Sequence, residues 1–215
     1  GMTERLLGAV VGVHADDLGL ILPPAIAPLE TIIIPIFKKD NQEKVMDVCR
    51  QVAAALKAAG IRSKLDDSDG RPGAKFFDWE VKGVPLRLEI GGKDIENNVA
   101  TFARRDNGEK GTVELDSIVP GVRMILQAIS ANMLEKAKAK QQSFIHEMED
   151  MGAESIPEGQ IVKIGWCGNP ECGHKFEDKY DIKILGTPYH PENWTGKCVC
   201  CGKEGCKPAY AARTL

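Results

Sequence analysis

Long hydrophobic runs are missing from this chain. The most extended apolar stretches, Leu6 to Val13 and Ile32 to Ile36, fall far short of the roughly 20 residues a membrane-spanning helix needs, so no membrane association is expected. The first residues also lack the charged, apolar and small-residue order of a secretory leader. The reducing cytoplasm is therefore the expected compartment, and Gly1-Met2 reads either as native or as a remnant of tag removal. A surplus of positive charge is absent too. With a net charge of -3, no basic tail holds nucleic acid by counterion release alone, and any RNA contact must rest on local geometry. Cysteine is scarce up to residue 166, where Cys49 stands alone. What is present is an ordinary apolar fraction of 43%, enough for a folded core, and a tail in which the remaining cysteines crowd together.

Thr31 to Ile36 is a β-branched run suited to a buried strand, with Pro35 expected at an edge or at the strand's end. Asp40 and Glu43 make a capping-box pattern, after which Val45, Val48, Val52 and Leu56 recur at helical spacing until Gly60. Cys49 lies on that stripe and reads as inert core. Ile61 to Leu65 reads as a short strand, and the Asp66 to Gly70 segment as a turn. Strand, helix and strand suggest a parallel unit. Residues 72 to 82 predict a helix, with Pro72 in its first turn and Gly83 past its end; on it, Phe77 and Val81 form an apolar pair suited to face the core.

Val84, Leu86, Leu88 and Ile90 alternate with Pro85, Arg87 and Glu89, which predicts a strand with Arg87 facing outward beside Glu89. Val99 to Arg104 and Thr112 to Leu115 flank an Asn107-Gly108 turn, so a hairpin follows and the sheet becomes mixed. Val122, Ile125, Leu126, Ile129 and Met133 keep a helical stripe, and the polar residues from Glu135 to Glu149 read as its continuation into a connector. Composition shifts again at Met151-Gly152, where a Gly-, Pro- and Cys-rich tail begins.

In that tail Cys167 and Cys172 are separated by four residues and Cys198 and Cys201 by two. Loops this short let each pair present two thiolates to one tetrahedral ion. In a chain without export signals such cysteines read as metal ligands before disulfides. Four thiolates leave no position for water, so the implied zinc is structural. Cys200 and Cys206 remain alternatives to Cys201, and His174 and His190 are weaker candidates.

Gly1-Met2-Thr3-Glu4-Arg5-Leu6-Leu7-Gly8, or Thr3 onward if Gly1-Met2 is a remnant, followed by His14 to Pro24, resembles motif 3 of class II aminoacyl-tRNA synthetases as prolyl enzymes carry it. The similarity continues through Arg71 to Glu80, Gly83 to Arg87, Glu89-Ile90-Gly91 and Arg104-Arg105-Asp106. It implies the C-terminal part of an archaeal/eukaryotic-type prolyl-tRNA synthetase. The implied organisation is a motif 3 remnant and linker over 1–27, an anticodon-binding domain over 28–130, a connecting helix over 131–150 and a zinc-binding domain over 151–215. The expected fold is α/β, with a mixed five-stranded sheet and flanking helices, beside a small α+β zinc domain. By the same resemblance the parent is a homodimeric ligase that charges tRNA(Pro) with proline using ATP and magnesium, and in it Arg5 contacts the ATP phosphates. Motifs 1 and 2 are absent, so this chain is not expected to activate proline. In the chain alone Arg5 reads as a solvated terminal charge.

Proline anticodons end in two guanines, whose edges call for a carboxylate at the N1 and N2 donors and for cations at O6 or N7. The resemblance implies that Phe76, Glu80, Arg87, Lys93 and Lys110 make these contacts. Phe76 and Glu80 are four apart and share a helix face, which sets a ring beside a carboxylate. Read without the resemblance, Phe76 is core, Glu80 and Arg87 form a surface ion pair, and Arg104-Arg105 is a solvated hairpin tip. Residues 61 to 112 hold ten basic and ten acidic side chains, so no unpatterned basic patch is present. Two other functions fit parts of this pattern: a non-enzymatic RNA-binding adaptor with a structural zinc, and the anticodon domain of another class II synthetase.

Overall fold

The computed structural model describes residues 3–38, 40–190, 192 and 194–214. It divides into two compact units, 1–137 and 138–215. In the first, α1 (Arg5–His14) is followed by β1 (Thr31–Ile36), α2 (Gln42–Ala58), β2 (Ser63–Leu65), α3 (Pro72–Val81), β3 (Leu86–Gly91), α4 (Gly92–Glu96), β4 (Val99–Arg104), β5 (Lys110–Glu114) and the start of α5 (Ile118–Ser143). The strands form a mixed sheet of order β2-β1-β3-β4-β5. β1 runs parallel to both β2 and β3, whereas β3-β4 and β4-β5 are antiparallel.

A central parallel strand is covered on both faces, which is what a continuous β-branched run supplies. Ile33 lies in a core with α2 and α5, while Ile32 and Ile34 pack on the other face with Phe76 and Trp79. Pro35 costs no ladder bond, because β2 pairs with β1 only as far as Ile33 and leaves an edge beyond it. The buried stripe of α2 is Val45, Cys49, Val52 and Leu56. Burial pushes the Cys49 thiol up to about 12, against the charge of Arg50, so it is an inert core group.

Several expectations need correction. Asn41, not Asp40, caps α2, and its side-chain oxygen accepts from the Lys38 N–H at 2.8 Å. Phe77 and Val81 are exposed. Lys75 is buried, and Phe76 and Trp79 are half-buried, because the face of α3 that meets the sheet runs through those residues. Arg87 does lie opposite Leu86, Leu88 and Ile90, but that face is roofed by α3, and Arg87 is buried. The hairpin tip is no solvated pair either, since Arg105 and Asp106 are both buried.

The second unit takes in the end of α5 and then β6 (Ile145–Met148), β7 (Ile161–Trp166), α6 (Pro170–Tyr180), β8 (Lys183–Gly186) and β9 (Lys207–Ala212). The expected helix through residue 149 stops at Ser143. Ile145 to Met148 instead pairs parallel to β7, and the Phe144 carbonyl accepts from the Ile161 N–H at 2.8 Å. Edge pairing with β7 outweighs helix propagation there, so this unit begins upstream of the composition shift at Met151. The sheet order is β6-β7-β9-β8. α6 opens at Asn169, whose side chain accepts from the Glu171 N–H, with Pro170 in its first turn. The core beneath is small, built on Val162, Ile164, Phe176, Tyr180 and Ala211.

Candidate functional site

Strand register builds the first site. Lys64, Ile32, Arg87, Ala103 and Lys110 are successive partners across all five strands, so their side chains share one face of the sheet. Two residues along, Ile34, Glu89, Thr101 and Thr112 form the adjacent row. α3 covers the β1-β3 part of this face. Over β4 and β5 it is polar, with Thr112 and Lys110 exposed.

Arg87 is the hub. Its Nη1 donates to Glu80 Oε1 at 2.8 Å and its Nε to Glu89 Oε1 at 2.9 Å. Its guanidinium also stacks 4.1 Å from the Phe76 ring centre, a cation-π contact. The Arg87 side chain is 8% exposed, Glu89 19% and Glu80 37%. Of the pair, Glu80 therefore keeps a carboxylate edge in reach of a ligand. Phe76, Glu80 and Arg87 are thus brought together, and Lys110 shares the Arg87 row. Lys93 is exposed on α4, and the strand that precedes α4 is β3 itself. Arg5 is exposed on α1, none of whose residues is buried.

α3 is held in place by a network that sequence reading did not find. Asp66 accepts from the Trp79 indole at 2.7 Å and from the Ser68 hydroxyl and N–H, while Lys75 Nζ lies 3.4 Å from its carboxylate. Burial pushes the Asp66 carboxyl up, but these donors and the Lys75 charge outweigh it and bring the group down to about 2. A depressed carboxylate stabilises the fold above its unfolded value near 4, and that stability disappears as the pH falls toward 2. Asp66→Asn is expected to cost about 2 kcal/mol at pH 7 and to flatten the pH dependence of stability between about 4 and 2. Denaturant titrations across that range check it; pH curves of equal slope for the two proteins would refute it.

Two more pairings escaped the sequence. Arg105 forks onto Asp16, with Nη1 to Oδ2 at 2.9 Å, and its Nε donates to the Glu80 carbonyl at 3.1 Å. The guanidinium holds the Asp16 carboxyl below the usual carboxylate range, against its partial burial. Arg104 forks onto Asp106, a carboxylate that Asn132 also reaches. Arg105 and Asp16 lie 89 positions apart and Asn132 and Asp106 26, and no local pattern links either pair.

In the second unit Cys167, Cys172, Cys198 and Cys201 bring their sulfurs within 4.8 Å of one another. Cys167 lies just ahead of α6 and Cys172 in its first turn, and the loop ahead of β9 supplies the others. Burial pushes the Cys198 thiol up, but the N–H groups of Cys201, Cys200 and Cys167 aim at its sulfur and bring it down to about 6. Burial and the neighbouring Cys167 and Cys201 thiols push Cys172 up to about 12. The two alternatives point elsewhere: Cys200 Sγ donates to the Cys172 carbonyl and Cys206 Sγ to the Lys203 carbonyl, both at 3.0 Å. His174 faces Glu177 at 3.6 Å. Four convergent sulfurs with backbone donors onto one of them fit a soft or borderline metal ion.

Comparison with known proteins places this geometry. Residues 30–124 match the family described as "Anticodon binding domain" and residues 150–215 match "Prolyl-tRNA synthetase, C-terminal". Proteins named "Proline--tRNA ligase" from Thermococcus kodakarensis and Methanosarcina mazei are each 46% identical to the chain, over 221 and 217 residues. Both alignments cover 100% of this chain, and 46% and 45% of the relative. A protein of the same name from Symbiobacterium thermophilum is 40% identical over 223 residues, covering 99% of this chain and 46% of that protein. The chain thus spans under half the length of these relatives.

Proposed function

The chain belongs to the prolyl-tRNA synthetase family, carrying its anticodon-binding and C-terminal domains, and from that premise we propose that the first unit reads the two adjacent guanines of the proline anticodon. It does so as part of a ligase that joins proline to tRNA with ATP and magnesium. The observation that carries this reading is the half-exposed Glu80 carboxylate beside the stacked Phe76-Arg87 pair, at the border of an open polar strand face.

Glu80 accepts from the N1 and N2 donors of one guanine. Arg87 is committed to two carboxylates and a ring, so its first role is to hold Glu80 and to stiffen Phe76. A base stacks on the free side of the ring, and Lys93 and Lys110 meet phosphate or guanine acceptors. Pre-pairing with Arg87 keeps the Glu80 carboxylate aimed, so little ordering is left to do at binding. In the whole enzyme Arg5 meets the ATP phosphates.

Cys167, Cys172, Cys198 and Cys201 hold zinc, which when bound cross-links the loops that bear them. A closed four-thiolate site leaves no position for substrate, so the ion's role is structural.

The test is binding of short RNA hairpins whose loops carry the two guanines or adenine in place of each. The guanine hairpin is expected to bind at least 10-fold more tightly, because each lost bidentate contact costs about 1–3 kcal/mol. Glu80→Gln, which turns half of the acceptor edge into a donor, should erase most of that ratio. Equal affinities in the unaltered chain would remove the reading.

A further inference from the structure

The last turn of α3, which carries Glu80, is fastened from outside the helix by two groups distant in sequence. The Glu80 carbonyl takes the Arg105 Nε at 3.1 Å, and the Val81 carbonyl takes the Leu20 N–H at 3.1 Å. Both are terminal carbonyls that the helix itself leaves without a full complement of donors. Leu20 belongs to a tight turn in which Asp16 and Gly19 exchange backbone bonds and the Leu18 N–H caps the Asp16 carboxylate. That carboxylate receives the fork of Arg105.

The approach of turn and helix is close on both sides. A Cβ on Gly19 would sit 2.6 Å from the Val81 Cα, and one on Gly83 would sit 2.6 Å from Leu20 Cβ. Gly19 and Gly83 also hold φ of +128° and +71°, where a side chain is strained. Arg105 is a fixed post, its side chain 6% exposed. Its own N–H bonds the Pro85 carbonyl at 3.0 Å, and the Asp106 carboxylate next to it, 1% exposed, is gripped by Arg104 and Asn132.

Arg105 therefore touches two things at once: the backbone of the residue that faces the guanines and the carboxylate of the turn that follows α1. We propose that Arg105 is a positioning residue that couples occupation of Glu80 to the Asp16–Leu20 turn, so that anticodon binding and engagement of the segment leading from α1 strengthen one another. The inference rests on the anticodon reading above. The Gly83 N–H also meets the Glu80 carbonyl at 3.0 Å, but that bond is local to the chain; when a guanine edge draws on the Glu80 carboxylate, Arg105 and Leu20 are the distant groups that hold the last turn of α3 in register. Whatever orders that turn at one side favours the other side by an equal factor.

The sign of one substitution separates this from ordinary electrostatics. Removing a carboxylate from a protein that binds a polyanion raises affinity by charge alone, whereas coupling demands that Asp16→Asn lower it. The expected result is about 5- to 10-fold weaker binding of the two-guanine RNA hairpin, with Arg105→Lys behaving alike because an ammonium cannot fork. In the unaltered chain the same hairpin is expected to slow hydrogen exchange at the Gly19 and Leu20 amides by a similar factor. That second measurement stands even if a variant fails to fold. Unchanged or tighter binding by a folded Asp16→Asn protein overturns the coupling, as does RNA binding that leaves those amides untouched. If the unaltered chain does not distinguish guanine from adenine hairpins, the anticodon reading fails first and the coupling falls with it.

Discussion

Removal of the metal ion should unfold residues 138–215 and leave the five-stranded unit standing. The second unit has a small core of Val162, Ile164, Phe176 and a few neighbours, and its cysteine loops contribute little apolar area. Ion binding by four thiolates supplies folding free energy on the order of 10 kcal/mol in comparable small metal domains, more than such a core yields. A strong chelator is expected to erase amide protection across β7, α6 and β9, while α2 and β3 keep theirs. Cys198→Ser should do the same, since it removes the sulfur on which three N–H groups converge. Cys206→Ser should retain the ion, because that sulfur bonds the Lys203 carbonyl instead of joining the group of four. Elemental analysis should give one zinc per chain in the native protein and in Cys206→Ser. A metal-free tail with full protection would refute the structural role.

Arg87→Ala is expected to damage both the stability and the RNA selectivity of the first unit. It strands Glu89 and Glu80, of which the first is mostly buried, and uncovers a face of Phe76. Breaking a buried pair by removing one partner costs about 3–5 kcal/mol. The exposure of Glu80 discounts its share, so about 3 kcal/mol is expected, or roughly 10 °C in the unfolding midpoint of a unit this size. Guanine preference should vanish as well, because Glu80 loses its aim. Arg87→Lys should recover part of the stability and little of the selectivity, since a lysine neither forks between two carboxylates nor stacks as a plane. Loss of RNA selectivity without loss of stability in Arg87→Ala would mean that Arg87 meets the RNA directly and does not brace the site.

Much of the architecture was legible because it is written in local pattern. The β-branched run of β1, the stripe of α2, the Asn107-Gly108 turn and the paired cysteines each carry their own period or spacing. Errors fell where burial depends on what lies across the fold. Alternation alone puts Arg87 on the polar face of β3, and it cannot show that α3 roofs that face. The same helix offered two apolar stripes, and Trp79, tied to Asp66, selected the one through Phe76 over the one through Phe77. Polarity from Glu135 onward suited a long helix, yet Ile145 to Met148 gained more by completing a sheet edge.

The amino-acid sequence by itself determined the two-unit organisation, the five strands and the three longer helices of the first unit and the chemistry of the cysteine cluster, though not the helices α1 and α4, since periodicity, turn residues and ligand spacing act over a few residues. The tertiary structure alone decided that Cys200 and Cys206 point away from the four converging sulfurs, that Arg87 is buried under α3, which carboxylate Arg105 holds, and that the Arg104-Arg105 tip is buried. The Arg105–Asp16 pair joins residues 89 positions apart, where charge pairing is set by the closure of the sheet and by the desolvation that follows, and no local window of sequence contains both ends.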